Sequence, residues 1–192
     1  GPAQRGYVAS ASSKYDPNYP AWYVFDNNTT TNGNQWISYN GSYNADGTYA
    51  GSSSNVTSES SNSWVGEWLQ VELPHKIQVS DVQVLRENND LYGTSRSPNS
   101  GAVLGSNNGS SWVYIHSFSN KPHTDYTTTA FTSLGDINAS GYYKYLRLVV
   151  TKVQNQTTTG NTNGRLASIC ELQYYGTGVD SIPIQIGGGN ID

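Results

Sequence analysis

The alternation of hydrophobic and polar residues predicts β-strands in the middle of the chain. Residues 67–73 place hydrophobic side chains at positions 69, 71 and 73, and Trp68, Gln70 and Glu72 occupy the alternate positions. A period of two is typical of a half-buried strand. Between residues 77 and 86 the hydrophobic positions change parity near Ser80 and Asp81. This change predicts a β-bulge that keeps the hydrophobic side chains on the core face.

Further strands are predicted in the second half of the chain. Residues 102–105 and 112–118 flank a turn that contains Asn108 and Gly109, and an Asn-Gly pair readily adopts the positive φ angles of a β-hairpin turn. Hydrophobic residues at 146, 148 and 150 predict another strand, and residues 169–175 predict the last one. No segment shows a convincing helical period of 3.6 residues. We therefore expect an all-β chain with minimal helix.

The segments between and after these strands predict loops and domain boundaries. Residues 27–66 are mostly polar and offer few core candidates besides Trp36 and Trp64, so we expect surface loops there.

A length of 192 residues is typical of one domain. We assign residues 1–6 to a tag remnant and lead, 7–176 to the domain, and 177–192 to a linker or the start of a following domain. An edge strand with a frayed terminus is the alternative for this tail.

The surface chemistry favours an uncharged partner. Only 12% of the residues are charged, about half of the usual quarter, so hydroxyl and amide groups supply most of the polarity. The net charge of −4 and the scattered Lys and Arg residues argue against nucleic acid, whose binding needs clustered positive charge. They also make an anionic membrane an unlikely partner, and the hydrophobic runs are too short to span a bilayer.

The residue types that perform catalysis form no recognisable motif. The three histidines are dispersed, and no pair of acidic residues shows the pattern of a hydrolase. We therefore expect no enzymatic activity. Cys170 is the only cysteine, and its position in a predicted strand indicates a buried structural thiol rather than a nucleophile.

Four sequence blocks extend over nearly all of residues 7–176. They are GEWLQVEL at 66–73, GSNNG at 105–109 followed by Trp112, YLRL at 145–148, and ASICEL at 167–172 closing at Tyr175 and Gly176. In this order they resemble the discoidin or coagulation-factor C-type domain superfamily, and among its members the family 32 carbohydrate-binding modules most closely. The resemblance implies an antiparallel jelly-roll β-sandwich of about eight strands with the galactose-binding-like fold.

The segment from position 23 to position 31 resembles the calcium loop of that superfamily. The resemblance implies one structural calcium ion, which requires six to eight oxygen ligands. Four inserted residues separate the threonines from Trp36, so Thr29 or Thr30 is an alternative to Thr31. The implied ligands are main-chain oxygens of Tyr23, Asn28 and Cys170, the carboxylates of Asp26 and Glu171, and the hydroxyl and carbonyl of Thr31.

A ligand-binding loop is predicted between residues 87 and 96. Tyr92 offers a face for stacking on a sugar ring, Arg96 and Asn89 offer hydrogen-bond donors, and Asp90 offers an acceptor. The alternative is that Arg96 binds loop carbonyls and that Tyr92 packs on the rim of the sandwich. Two other segments are further candidates: the tract around Tyr39, Tyr43 and Tyr49, and residues 154–165.

The resemblance and the composition together predict a calcium-stabilised carbohydrate-binding module of a larger secreted or surface protein. Its expected partner is a neutral cell-surface glycan, and its expected location is extracellular or on a cell or virion surface. A protein-binding adhesion module is the principal alternative, because the same scaffold presents loops to any partner. Phospholipid binding is less favoured, since the chain is acidic and has no basic cluster.

Overall fold

The computed structural model describes residues 3–4, 6–30, 33–52, 55–88, 92–122, 130–154 and 165–187. Within these ranges the regular secondary structure is almost entirely β-strand, and the named strands pair antiparallel, as predicted. The strands are β1 (Ala3–Gln4), β2 (Tyr7–Ala11), β3 (Trp36–Ile37), β4 (Val56–Ser58), β5 (Ser63–Val65), β6 (Glu67–Leu85), β7 (Pro98–Ser106), β8 (Val113–Phe118), β9 (Thr132–Ser133), β10 (Tyr143–Val153), β11 (Ser168–Ile169), β12 (Glu171–Gly178) and β13 (Pro183–Ile186). A 3-10 helix, η1 (Ala21–Phe25), and a single helical turn, α1 (Gly93–Arg96), complete the described structure.

Strand β6 connects the two layers of the fold. Its first part pairs with β2 and β10, and β10 in turn pairs with β7. Its second part pairs with β12 and β9. The predicted bulge is confirmed, because Tyr175 pairs with Asp81 and Gly176 pairs with Val79, which leaves Ser80 without a partner in this register.

The two ends of β6 lie at the same end of the molecule. Nineteen residues in one straight strand would span about 60 Å. Yet a chain of short contacts joins its two ends. At one end, the Ser13 hydroxyl donates a hydrogen bond to the Glu67 carboxylate, and the Ser13 carbonyl accepts one from the Trp36 indole. Trp36 pairs with Ile169, and the backbone N–H of the following residue, Cys170, donates to the carbonyl of Leu85 at the other end. Strand β6 therefore folds back on itself, and we call the end that carries Glu67 and Leu85 the loop end.

The folded-back sheet encloses one main hydrophobic core. Both parts of β6 contribute to it, and β10 and β12 supply much of the remainder. This arrangement confirms the predicted jelly-roll β-sandwich. The buried side chains from these three strands are Leu69, Val71, Leu73, Ile77, Val79, Val82, Val84, Tyr143, Leu146, Leu148, Val150, Val153, Leu172 and Tyr174.

A second, smaller cluster lies on the other face of the β10 layer. The Arg147 guanidinium is 3.9 Å from the ring centre of Trp68 and 4.1 Å from that of Trp112. Its nitrogens donate to the Thr57 hydroxyl at 2.7 Å and to the Gln70 side-chain oxygen at 2.7 and 3.1 Å. Burial lowers the pKa of Arg147 to about 10, so the side chain is still a cation at neutral pH.

The tract at 27–66 is more structured than expected. It includes β3, β4 and β5, and Trp36, one of its two core candidates, is fully buried. Tyr43, which was considered as a ligand contact, is 1% exposed and donates a hydrogen bond from its hydroxyl to the Val150 carbonyl at 2.8 Å. Tyr43 is therefore a core residue, whose polar end has a partner inside the protein.

The sheet also continues past residue 176. Strand β13 pairs with β12, so that Tyr174 lies opposite Ile186 and Thr177 lies opposite Pro183. The tail thus contributes an edge strand, which was the alternative to a linker beginning at 177. Among the described residues, no helix has the length and the apolar character needed to cross a membrane.

Candidate functional site

A pair of carboxylates lies at the loop end, where η1 meets the start of β12. Glu171 is fully buried, and its carboxylate has no hydrogen bond of normal geometry; its polar neighbours are the Asp26 carboxylate and the backbone N–H groups of Asn27 and Asn28. Burial and the neighbouring carboxylate of Asp26 raise the pKa of Glu171 to about 9. Asp26 is half-buried, and a carboxylate beside a buried one is repelled by it unless a proton or a cation lies between them. The pair is therefore suited to holding a cation.

Asn34, which the sequence analysis did not identify, organises the loop around Asp26. Its side-chain nitrogen donates to both carboxylate oxygens of Asp26, at 3.0 and 3.2 Å, and to the carbonyl of Asn28 at 3.3 Å. The backbone N–H of Asn28 also donates to Asp26, at 3.0 Å. Asn34 lies in the four-residue insertion before Trp36, and its only sequence signal is an amide placed shortly after an aspartate.

The other predicted calcium ligands are distributed around this carboxylate pair. The Asn28 carbonyl lies 3.9 Å from the Cys170 sulfur, which confirms that Cys170 is buried beside the loop. The carbonyl of Tyr23 accepts a hydrogen bond from the backbone N–H of Asp26 at 3.4 Å. Thr31 lies outside the described residues, so its assignment stays a prediction.

The donor types at this position suit calcium better than a transition metal. No group of three or more His, Cys, Asp or Glu side chains that could hold a metal ion occurs in the described part of the chain. Asp26 and Glu171 instead supply two carboxylates beside main-chain carbonyls. Calcium prefers oxygen ligands of these kinds, so the residues present fit the implied ion.

The predicted ligand loop is held together by its own side chains. Arg96 is 8% exposed, lies 3.3 Å from the Glu87 carboxylate, and stacks over the Tyr92 ring at 4.3 Å. A guanidinium in this position stabilises the loop through a carboxylate, whereas the alternative considered above was a pairing with loop carbonyls. Contact of Arg96 and Tyr92 with a ligand stays a prediction, and Asn89 and Asp90 lie outside the described residues.

A pocket of about 580 Å³ opens beside Glu67 at the loop end; we call it the Glu67 pocket. Glu67 is 3% exposed, and its carboxylate accepts hydrogen bonds from Ser12 at 2.5 Å, Ser13 at 2.6 Å and Ser42 at 2.9 Å. The pocket is lined by Ser12, Ser13, Tyr39, Asn40, Gly41, Ser42, Tyr49, Ala50, Gly51, Ser52, Asn55 and Glu67.

Two tyrosines give the Glu67 pocket its aromatic surface. Tyr39 is 64% exposed, so its ring is accessible to a ligand. Tyr49 is half-buried and packs edge-on against Tyr43, with ring centres 5.4 Å apart. Because Tyr43 is itself held in the core, Tyr49 forms a rigid wall and Tyr39 an exposed one. In the tract around Tyr39, Tyr43 and Tyr49, the structure thus places Tyr39 and Tyr49 in one pocket, whereas Tyr43 lies behind that pocket in the core.

The third candidate segment is described only at its ends. Gln154 donates from its side chain to the carbonyl of Lys121, and the carbonyl of Arg165 accepts a hydrogen bond from the backbone of Tyr43. Residues 155–164 lie outside the described part of the chain.

Comparison with solved structures shows which fold the chain shares. It is similar to the module CBM32-3 of a family 31 glycoside hydrolase from Clostridium perfringens, with a TM-score of 0.58, 18% identity, and coverage of 87% of this chain and 88% of that chain. It is also similar to the family 32 module of NanJ from the same organism, in complex with galactose, with a TM-score of 0.52, 15% identity, and coverage of 88% and 92%.

A third similar structure is the family 32 module CpGH89CBM32-5 of Clostridium perfringens, in complex with GalNAc-β-1,3-galactose. The TM-score is 0.52 and the identity is 15%, with 86% of this chain and 92% of that chain covered. No family model and no curated protein sequence matches the chain. The fold of the family 32 modules, which the sequence blocks had implied, is therefore confirmed by structure.

Proposed function

We propose that the chain is a non-catalytic carbohydrate-binding module that binds a neutral glycan in the Glu67 pocket. The observation that carries this proposal is the combination of an exposed aromatic ring, Tyr39, with a polar pocket at the loop end. Loops at one end of a rigid scaffold are a common location for binding sites. The fold shared with modules that were solved with bound sugars supports the same conclusion.

The electrostatics of the pocket favour an uncharged ligand. Glu67 is the only charged side chain among the described residues that line it. Its carboxylate already accepts hydrogen bonds from three serine hydroxyls, and those hydroxyls present their remaining lone pairs. A glycan hydroxyl can donate to such oxygens, whereas the carboxylate of an acidic sugar is repelled by the nearby negative charge.

The aromatic residues suit the other half of a sugar. A pyranose ring has a C–H face that packs on an aromatic ring, while its hydroxyls form hydrogen bonds around the edge. Tyr39 and Tyr49 provide that packing surface, and the side-chain amides of Asn40 and Asn55 lie in the lining of the same pocket. A volume of about 580 Å³ falls within the range of ligand sites.

The calcium ion has a structural role in this proposal. The residues that would hold it are Asp26, Asn28, Cys170 and Glu171, together with Tyr23 and Thr31. When bound, the ion supplies positive charge to the Asp26 and Glu171 carboxylates and joins two segments that are far apart in sequence. The support for it is the buried Glu171 carboxylate, which lies beside the Asp26 carboxylate and has no hydrogen bond of normal geometry.

We further propose that the module is one domain of a secreted or surface protein. The similar structures include modules of glycoside hydrolases, and the family 89 enzyme from Clostridium perfringens aligns with this chain over 15% of its own length. The expected glycan is therefore outside the cell, and the expected role of the module is to hold a larger protein close to it.

Direct binding measurements test the proposed site. The panel comprises neutral mono- to tetrasaccharides, including galactose and GalNAc-β-1,3-galactose, and is screened by array and calorimetry. Tyr39→Ala is expected to weaken binding of a positive glycan by about two- to twelvefold, since one stacking contact contributes about 0.5–1.5 kcal/mol. Tyr114→Ala, which removes an exposed tyrosine that stacks on Trp64 on strand β5, is the matched control and should bind normally.

Two results would contradict the proposal. Failure of the calcium-loaded parent to bind any glycan of the panel would remove the function itself. Unchanged binding by Tyr39→Ala would place recognition at another loop, with the segment around Tyr92 as the next candidate.

A further inference from the structure

A second groove of about 520 Å³ lies next to the Glu67 pocket. It runs between strand β2 and helix η1, and we call it the Trp22 groove. Small side chains of β2, including Ala9 and Ser10, form one wall, and Pro20 and Trp22 form the other. Its volume is again within the range of ligand sites.

The two depressions share residues and are therefore adjacent. Ser12 and Ser13 line both of them. Both hydroxyls are fixed, because each donates a hydrogen bond to the Glu67 carboxylate. In addition, the Ser12 hydroxyl accepts a hydrogen bond from the backbone N–H of Trp68 at 2.8 Å, and the Ser13 hydroxyl accepts one from that of Tyr39 at 2.8 Å. This pair of serines is a rigid floor between the two depressions.

The Trp22 groove has its own groups for recognising a sugar. Trp22 is half-buried and packs edge-on against Tyr23, with ring centres 4.4 Å apart. Among the described residues, β2 pairs on its outer edge only at Tyr7 and Val8, with β1. An unpaired strand edge offers backbone N–H and C=O groups. The groove thus combines an aromatic surface with hydrogen-bonding groups, as the first pocket does.

We propose that the Trp22 groove is a second subsite, so that the ligand is a linear oligosaccharide of at least two units that crosses Ser12 and Ser13. This inference rests on the proposed function, because the first unit occupies the Glu67 pocket. The shared lining is the argument for this occupant: a sugar unit linked to one in the pocket must leave it, and the groove that shares Ser12 and Ser13 with the pocket is adjacent. The module therefore recognises a chain of sugars rather than a terminal monosaccharide alone.

Chain-length dependence is the test. With the neutral panel described above, the parent protein should bind its best di- to tetrasaccharide at least about tenfold more tightly than the corresponding monosaccharide, the gain expected of an added aromatic and hydrogen-bonding subsite. Trp22→Ala should abolish this gain and leave monosaccharide binding unchanged. Tyr39→Ala should weaken both.

A second variant separates loss of the subsite from loss of folding. Ser10→Gln adds bulk within the groove without removing an aromatic contact, and it should also reduce oligosaccharide binding to the monosaccharide level. Ser61→Gln, at an exposed serine in the β4–β5 turn, is its matched control. Melting curves of all variants show whether the fold is retained.

The outcomes distinguish this inference from the function on which it rests. Equal affinity for short and long glycans, or length dependence that survives in both Trp22→Ala and Ser10→Gln, overturns the second subsite while glycan binding stands. Absence of all glycan binding by the parent overturns both.

Discussion

Glu67 illustrates how one buried side chain can organise the lining of a pocket. A buried carboxylate is costly unless hydrogen bonds compensate the loss of water, and here Ser12, Ser13 and Ser42 provide them. The three serines come from two loops that are separated by about thirty positions in the sequence. Their common acceptor therefore holds those loops in one arrangement, and it orients the hydroxyls that line the pocket.

Replacing Glu67 should destabilise the protein and disorder the pocket together. Glu67→Ala leaves hydroxyl donors buried without their acceptor, at a cost of about 1–3 kcal/mol. For a chain of this size, Tm should fall by about 2–4 °C per kcal/mol, and glycan affinity should fall as well. Calorimetry of unfolding and of binding measures both effects.

The control for this substitution is an acidic residue of the same strand. Glu72→Ala removes a more exposed ion pair with Lys144, whose atoms are 2.8 Å apart, and such pairs contribute about 0–1 kcal/mol. A decrease in Tm for Glu67→Ala no larger than that for Glu72→Ala would mean that the serine hydroxyls reorganise without loss.

The β4–β5 hairpin depends on Arg147 for its attachment to the sheet. Thr57 is buried in β4, Trp64 packs against the smaller hydrophobic cluster, and Arg147 reaches Thr57 from β10. Between Trp68 and Trp112 the guanidinium is a flat cation that fills the space between two rings. The hairpin is therefore joined to the sheet by cation–π contacts and charged hydrogen bonds as well as by hydrophobic burial.

Arg147→Ala should lower the free energy of unfolding by on the order of 3 kcal/mol, because it removes two cation–π contacts and charged hydrogen bonds from a buried position. Arg147→Lys should recover only part of the loss, since an ammonium lacks the planar donor fork. Denaturant unfolding measures the difference. If the Arg147→Lys variant is as stable as the parent protein, the positive charge alone, and not the planar guanidinium, is required for stability.

At the level of the whole chain, the proposed calcium site would join the beginning of the domain to its end. Asp26 follows η1 and Glu171 begins β12, so an ion held by both closes a long segment of the chain. A ligand that binds only the folded state stabilises it by about 2.7 kcal/mol when its free concentration is one hundred times Kd. Removal of calcium with EDTA should therefore lower Tm. The decrease should be clearest when the free calcium concentration before chelation is about one hundred times Kd.

The pH dependence of this effect follows from Glu171. In the calcium-free folded protein, the pKa of Glu171 is raised from 4.5 to about 9. Between these two values the unfolded chain has lost the proton that the folded chain keeps, so the stability of the calcium-free protein falls as the pH rises. Calcium stabilises the ionised carboxylate, and the gap in Tm between loaded and chelated protein should widen across the same window.

Glu171→Gln is the control for both effects. The amide is neutral at every pH, so this variant should lose the calcium-dependent increase in Tm and the part of the pH slope that arises from position 171. A parent protein whose melt does not respond to EDTA at neutral pH would refute the calcium assignment.

Local patterns were sufficient to predict much of the fold. The alternation at 67–73 predicted the first part of β6, the change of parity predicted the bulge at Ser80, and the Asn-Gly turn predicted the hairpin between β7 and β8. Each of these signals depends only on neighbouring residues, because side-chain direction in a strand and φ in a tight turn are local properties. The pairing of Asp26 with Glu171 came from the resemblance of two separate blocks.

The proposed binding surface depends on contacts that no local pattern encodes. In the sequence Tyr43 is one of three similar tyrosines, and its burial and its hydrogen bond to Val150 identify it as core. The ion pair of Arg96 with Glu87 is likewise not visible in the sequence. Glu67 lay at the edge of a predicted strand with no sign that serines from two loops would surround it. These roles depend on which distant segments meet when β6 folds back, and that meeting is determined by packing of the whole core.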